Sequence, residues 1–219
     1  MDAYQASSWS EMSDYYKPED VIEAAKLFLS AANKFKGNNN YEYDLIDILR
    51  QSIAEQGRII FKNIQNAYKK KDIAHFELAK KEFLNLILLQ DELLSTRKEF
   101  KVGAWIDQAR NLGNNKAEKD LYEWNARVQI TTWGNRTAAD EGGLRNYAHR
   151  EWSGILKDLY YKRWKIYLDN VSKELQGISV DQIDYYAIEK NWAEQTNAYN
   201  SENKPDLIET AKNIFNIIF

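Results

Sequence analysis

Cysteine is absent from this 219-residue chain, which removes disulfide frameworks and thiolate chemistry from consideration. A cysteine-free chain suits the cytosol and an exported bacterial protein equally. Proline and glycine are scarce, at 2 and 9 residues. Strand-rich folds need frequent turns, and these two residues are the usual turn markers, so the scarcity predicts a few long helices. Acidic and basic residues nearly balance, 33 against 30, with a formal net charge of −3, which leaves no basic footprint for nucleic acid. No apolar run reaches the roughly 18 residues of a membrane span, and the opening MDAYQASSWSEM lacks the basic and apolar regions of a signal peptide. The usual signatures are missing too: no phosphate-cradling glycine loop, no dinucleotide fingerprint, no serine elbow, no H-E-x-x-H. No cofactor is expected. The only histidines, His75 and His149, do not stand in Glu-x-x-His spacing, so no metal site is expected either.

Apolar residues make up 44% of the chain, enough for a core. Pro18, Glu19 and Asp20 predict a first helix, stopped by GNNN at 37–40. A long apolar stripe from Leu45 to Tyr68 follows. Asp72 is placed to cap the next helix, which carries Phe76, Phe83 and Leu86 on one face; the short connection predicts an antiparallel hairpin. Lys69, Lys70 and Lys71 complement a helix C-terminus. Val102 to Leu112 reads as a shorter helix ended by Gly113. Asn115 and Glu118 form a capping-box pair, and Trp133-Gly134 is expected to close that helix with glycine at its end. A long helix is expected from Leu144 through REWSGILKDLYYKRWKIYLDNVSKEL to Gly177. Ser179 with Gln182 is expected to open another, and Pro205 with Asp206 the last. The prediction is all-α: one compact domain of about seven or eight helices, with long antiparallel helices and no sheet. Residues 15–219 form that domain, and residues 1–14 read as an N-terminal extension or an artificial start.

One stretch, LYEWNARVQITTWGN at 121–135, mixes large aromatics with polar groups of the kind usually buried. Five of the 7 tryptophans (Trp105, Trp124, Trp133, Trp152 and Trp164) fall within about sixty residues. Core packing is the plain reading for Trp124, Trp152 and Trp164. Trp133 and Tyr147 bracket a polar loop, NRTAADEGG, so an edge of each should meet solvent. An aromatic face beside polar groups suits a sugar ring, and it suits a loop anchor equally. His75 reads as an ordinary polar residue near a helix start, and His149 as structural or surface. Glu123, Asp140, Glu141 and Glu151 flank the aromatics. Glycoside hydrolysis needs two carboxyls held across one bond at a set separation, and only nearness in sequence marks these four, so no catalytic residue is assigned.

The runs EKDLYEWNARVQITTWG and LRNYAHREWSGILKDLYYKRWKIYLD are similar to the C-terminal helical region of the alpha-N-acetylglucosaminidases, glycoside hydrolase family 89. DVIEAAKLFLSA, YEYDLIDILRQ and LLQDELLSTRKEFKVGAWIDQAR agree, so the resemblance runs from about Tyr15 to the C-terminus. It implies a part of a larger enzyme that removes terminal alpha-linked N-acetylglucosamine with retention, its two catalytic glutamates lying in a TIM-like barrel absent from this chain. The isolated chain is then expected to be inactive. The partners implied are that barrel and the terminal N-acetylglucosamine of a glycan. Trp133, Tyr147 and Leu144 match residues that line the sugar pocket. Asn125, Arg127 and Gln129 would fix the local backbone or hydrogen-bond across the domain seam, or else be satisfied within the domain. Bacterial members are commonly exported. The alternative is a self-standing helical module that takes a partner helix in an apolar groove.

Overall fold

The computed structural model describes residues 16–141, 145–146, 148–200 and 206–219. The expected extension at 1–14, and Leu144, Tyr147 and Pro205, lie outside the described residues. Nine α-helices follow one another among the described residues: α1 Pro18–Ser30, α2 Ala32–Phe35, α3 Asn39–Lys70, α4 Ile73–Leu94, α5 Val102–Arg110, α6 Lys116–Gln129, α7 Tyr161–Leu175, α8 Tyr185–Ala193 and α9 Leu207–Ile218. The class is all-α as expected, with no sheet among the described residues, and the count exceeds seven or eight because GNNN is preceded by the short α2. No helix among them is long and apolar enough to cross a membrane.

The α3–α4 hairpin is the spine. Leu45, Ile46, Leu49, Ile53, Ile60 and Ile64 recur at helical spacing and are all buried. Lys71 turns left-handed (φ 55) after α3, the N–H of Asp72 closes on the carbonyl of Ala67 at 2.9 Å, and the Asp72 carboxylate caps α4 through the N–H of His75 at 3.1 Å. Helix α1 packs on α3, α7 on α4, and α9 on both members of the hairpin. Trp164 of α7 is fully buried and meets Phe83 edge-on, ring centroids 4.8 Å apart. The α5–α6 pair stands at one edge, where α6 touches α5 and α8.

Among the helix starts and the core, three expectations fail, each for a local reason. The long helix expected from 144 onward does not run through 148–153. Residues 148–153 are non-helical, and Ser153 pairs with the segment before α5: Val102 N–H donates to Ser153 O at 3.0 Å and Ser153 N–H to Phe100 O at 2.8 Å. Helix resumes only after Gly154, whose φ is +96. Its N-terminal N–H groups are capped by Asp91 of α4, which accepts from Gly154 N at 2.6 Å and Lys157 N at 3.2 Å. Burial pushes the Asp91 carboxyl up, and these hydrogen bonds pull the other way. A widened turn over Leu156–Tyr160 then leads into α7. Second, Ser179 and Gln182 open no helix. Asp184 does so, its side chain accepting from Ala187 N at 3.0 Å. Third, Trp124 is not core. It is 46% exposed, because α6 turns a different face inward. Trp152 is half-buried against the core and tilts on Trp105 at 6.0 Å.

Candidate sugar-pocket wall

Helix α6 opens as its capping box predicts: Glu118 N–H donates to Asn115 Oδ1 at 3.0 Å, and Asn115 Nδ2 to Glu118 Oε1 at 3.0 Å. Its inward face is ionic. Glu123 and Arg127 are 5% and 0% exposed, and Arg127 donates to Glu123 Oε1 from Nε at 3.0 Å and from Nη2 at 2.7 Å. Nη2 also reaches Asn197 O at 2.9 Å, Arg110 donates to the other Glu123 oxygen, and the guanidinium lies over the rings of Trp192 at 4.9 Å and Tyr199 at 5.4 Å. Arg127 is thus held within this domain through Nε and Nη2, its buried Nη1 making no hydrogen bond among the described residues, whereas Asn125 and Gln129 point to solvent.

The helix does not end at Gly134. It closes at Gln129, and the left-handed residue is Trp133 itself, φ 61. A bulky side chain in that region costs on the order of 1–3 kcal/mol and persists only where its surroundings fix it. Buried Ile130, Thr131 and Thr132 supply the fixing. Thr131 Oγ1 donates to Arg127 O at 2.7 Å, and Trp133 N–H to Val128 O at 2.8 Å. The result throws a large ring outward, 44% exposed.

The loop after Trp133 returns to the same spot. Asn135 Oδ1 accepts from Ala138 N at 2.9 Å. Arg145 N–H donates to Ala139 O at 3.1 Å, and Asn146 N–H to Thr131 O at 2.7 Å. Asn146 is buried, left-handed (φ 58), and accepts the Tyr160 hydroxyl on Oδ1. His149, also left-handed (φ 43), donates its N–H to Asn146 O at 3.1 Å. Three non-glycine residues of positive φ therefore cluster where the loop leaves and re-enters the domain. Asn146 and Thr131 were not named from the sequence; an asparagine just before Tyr147, a residue type tolerant of left-handed backbone, was the available signal.

Ion pairs brace the loop from below. Arg136 holds Asp184 through two bonds, 3.0 and 2.7 Å, and Arg145 donates to Asp140 at 3.1 Å. Arg163 sits 2.8 Å from Glu189, and both are buried; burial pushes the Glu189 carboxyl up while Arg163 and Arg145 oppose. Burial likewise pushes the Tyr185 hydroxyl up to about 12. Arg136, Asp140 and Arg145 also border a cleft of about 990 Å³ whose other walls include Tyr68, Tyr167 and Tyr185. Trp133 is not among the residues lining that cleft.

Three of the four flagged carboxylates are held in pairs. Glu123 is ion-paired as above, Asp140 with Arg145, and Glu151 accepts from Gln90 at 3.1 Å with His149 Nε2 3.5 Å away; the side chain of Glu141 lies outside the described residues. His75 is an exposed helix-start residue whose Nδ1 lies 2.6 Å from Asp72. Among the described residues no cluster of three His, Cys, Asp or Glu is arranged to hold a metal.

The sequence model of the alpha-N-acetylglucosaminidase C-terminal domain matches residues 2–216. Human alpha-N-acetylglucosaminidase is 31% identical over 209 residues, 93% of this chain and 28% of that protein. The family 89 glycoside hydrolase of Clostridium perfringens, solved in complex with PUGNAc, is 36% identical, with a TM-score of 0.87 over 94% of this chain and 24% of its own. The same hydrolase has been solved with its substrate GlcNAc-alpha-1,4-galactose, at the same identity and TM-score. The chain thus spans about a quarter of the length of the relatives it matches.

Proposed function

The chain belongs to the alpha-N-acetylglucosaminidase C-terminal domain family of glycoside hydrolase family 89, and from that premise we propose that it forms one wall of a sugar pocket completed by a catalytic barrel elsewhere in a longer polypeptide. The observation that carries this is Trp133. A tryptophan held at φ 61 with 44% of its surface in solvent is a strained backbone that presents a large ring, and stored backbone strain gathers where geometry serves function. Its apolar face would lie against the C–H face of a terminal alpha-linked N-acetylglucosamine. Tyr147 and Leu144 belong to the same wall on the strength of the family resemblance. Asn146 and Thr131 set the two ends of that wall relative to each other, Arg127 fixes the helix behind it, and Asn125 and Gln129 face the seam. Residues 15–219 are the domain unit in this reading, and 1–14 lie outside it.

The chemistry is assigned to the barrel, so the isolated chain should release no N-acetylglucosamine from an aryl alpha-glycoside. The test is a hybrid in which this chain replaces the matching quarter of the C. perfringens hydrolase. The hybrid should hydrolyse the glycoside, and the chain alone should not. Turnover by the chain alone, or a folded hybrid without activity, contradicts the proposal.

A further inference from the structure

A closed ring of contacts lies beneath the point where the loop re-enters the domain. Asn146 accepts the Tyr160 hydroxyl, and Arg163, three residues further on the same helical face, lies over the Tyr160 ring at 5.7 Å. Arg163 stands 2.8 Å from Glu189 Oε1 of α8, and Arg145 stands 4.0 Å from the same oxygen. Both guanidiniums also lie over the ring of Tyr185, Arg145 at 5.2 Å and Arg163 at 5.4 Å. Arg145 directly precedes Asn146 in the chain, which closes the ring. The two residues that separate positions 144 and 147 are thus both tethered inward, one to a buried carboxylate and the other to a buried hydroxyl.

The carboxylate at the centre of this ring is badly placed to stabilise the fold. Glu189 is 0% exposed, and neither of its oxygens accepts a hydrogen bond among the described residues. Arg163 Nε and Nη1 are buried without one as well. Two guanidinium charges compensate the carboxylate while its hydrogen-bonding capacity goes unused. A buried ion pair of this kind is weak evidence for stability, and its better-attested use is to specify one arrangement. Here the arrangement is that of residues 145 and 146. We propose that Glu189 is a positioning residue for the glycosidase reaction of the longer polypeptide, holding positions 144 to 147 in place for the sugar through Arg145 and Arg163. The proposal rests on the sugar-wall reading and deepens it. Fully buried, Glu189 cannot touch a sugar and acts only through its neighbours. A wall meets the sugar in the ground state and the transition state alike, so a displaced wall raises KM and leaves kcat nearly unchanged.

Two variants are made in the active C. perfringens hybrid. Arg145→Met removes the tether. Glu189→Gln is combined with Arg163→Met, so that the buried arginine is not left without its carboxylate. Each should raise KM for an aryl alpha-N-acetylglucosaminide at least ~5-fold, with kcat within ~2-fold. An unchanged KM in either variant overturns the proposal. So does a change confined to kcat or to melting temperature, which is the mark of a merely structural pair. With Leu144→Ala and Tyr147→Ala already in place, Arg145→Met should change KM by no more than ~2-fold, because nothing remains to be positioned; an undiminished effect overturns the proposal. The same background separates the two readings. If Leu144→Ala with Tyr147→Ala leaves KM unchanged, the sugar wall at these positions falls and this proposal with it. If that pair raises KM and Arg145→Met does not, this proposal falls alone. Should the hybrid or the Glu189→Gln, Arg163→Met variant not fold, hydrogen exchange on the isolated chain decides, with Arg145→Met and the milder Glu189→Asp. The Arg145 and Asn146 amides, bonded to Ala139 O and Thr131 O, should exchange at least ~10-fold faster in both variants while the α3–α4 amides keep their rates. Equal exchange at 145 and 146 overturns the proposal.

Discussion

Asn146 donates its backbone N–H to the carbonyl of Thr131 at 2.7 Å, and this one bond ties together the two ends of the loop that presents the candidate sugar wall. Thr131 lies two residues before Trp133, and Asn146 is adjacent to Tyr147. The Asn146 side chain fixes the knot to α7's entry turn by accepting the Tyr160 hydroxyl.

That knot gives a first prediction. Asn146→Gly keeps the left-handed backbone and loses only the side-chain acceptor, whereas Asn146→Ala loses the acceptor and strains the backbone. Losing a buried acceptor costs about 1–3 kcal/mol, and alanine at positive φ adds about 1 kcal/mol or more. Urea denaturation should rank the proteins wild type, then Asn146→Gly, then Asn146→Ala. Equal stability of the two variants contradicts a backbone role.

The ion pair inside α6 gives a second. Removing one partner of a buried pair leaves an uncompensated charge, a loss of about 3–5 kcal/mol. Arg127→Ala should show that loss in urea denaturation. Arg127→Met combined with Glu123→Leu should recover a large part of it, although Arg110 then keeps Asp120 as a partner and loses Glu123. A loss below about 1 kcal/mol for Arg127→Ala would show that the pair is solvated.

Asp184 gives a third, in pH. Its carboxyl is held below the ordinary 3.8, first by the Arg136 hydrogen bond and then by the Ala187 N–H it caps. A depressed folded pKa contributes stability that is present above the unfolded value and lost as pH falls through the folded one. The melting temperature of the wild type should therefore exceed that of Asp184→Asn near neutral pH. The difference should shrink as pH drops below about 3.8. A difference independent of pH down to the acid limit contradicts the assignment.

Gly154 gives a fourth. Its φ is +96, and a Cβ there would come within 2.7 Å of Val102 Cγ1 and 2.8 Å of Tyr199 Cδ1. Gly154→Ala should cost about 1–3 kcal/mol from overpacking, with further loss from the backbone. Differential scanning calorimetry checks it, and an unchanged melting temperature refutes it.

The α3–α4 hairpin was legible because every signal for it is local: an apolar stripe, lysines at the C-terminus, and Asp72 as cap. The start of the helix before α7 was not, because its cap comes from Asp91, which accepts from Gly154 across 63 residues of chain. Trp124 was misread because helical spacing shows which residues share a face and not which face meets water. Here the inward face is ionic. Trp133 was legible as a solvent-edge aromatic, but its own left-handed backbone was not, since Gly134 beside it is the residue that ordinarily takes that role. The Asn146–Thr131 bond has no sequence signature beyond the tolerance of asparagine for left-handed turns.

The most direct test of the sugar-wall account is Trp133→Ala in the active C. perfringens hybrid, with kcat/KM and melting temperature measured on the same preparation. The tryptophan is 44% exposed, so the melting temperature should stay within about 2 °C. The specificity constant for an aryl alpha-N-acetylglucosaminide should fall at least ~10-fold, equal to about 1.4 kcal/mol of transition-state binding. An unchanged kcat/KM would show that Trp133 does not touch the sugar.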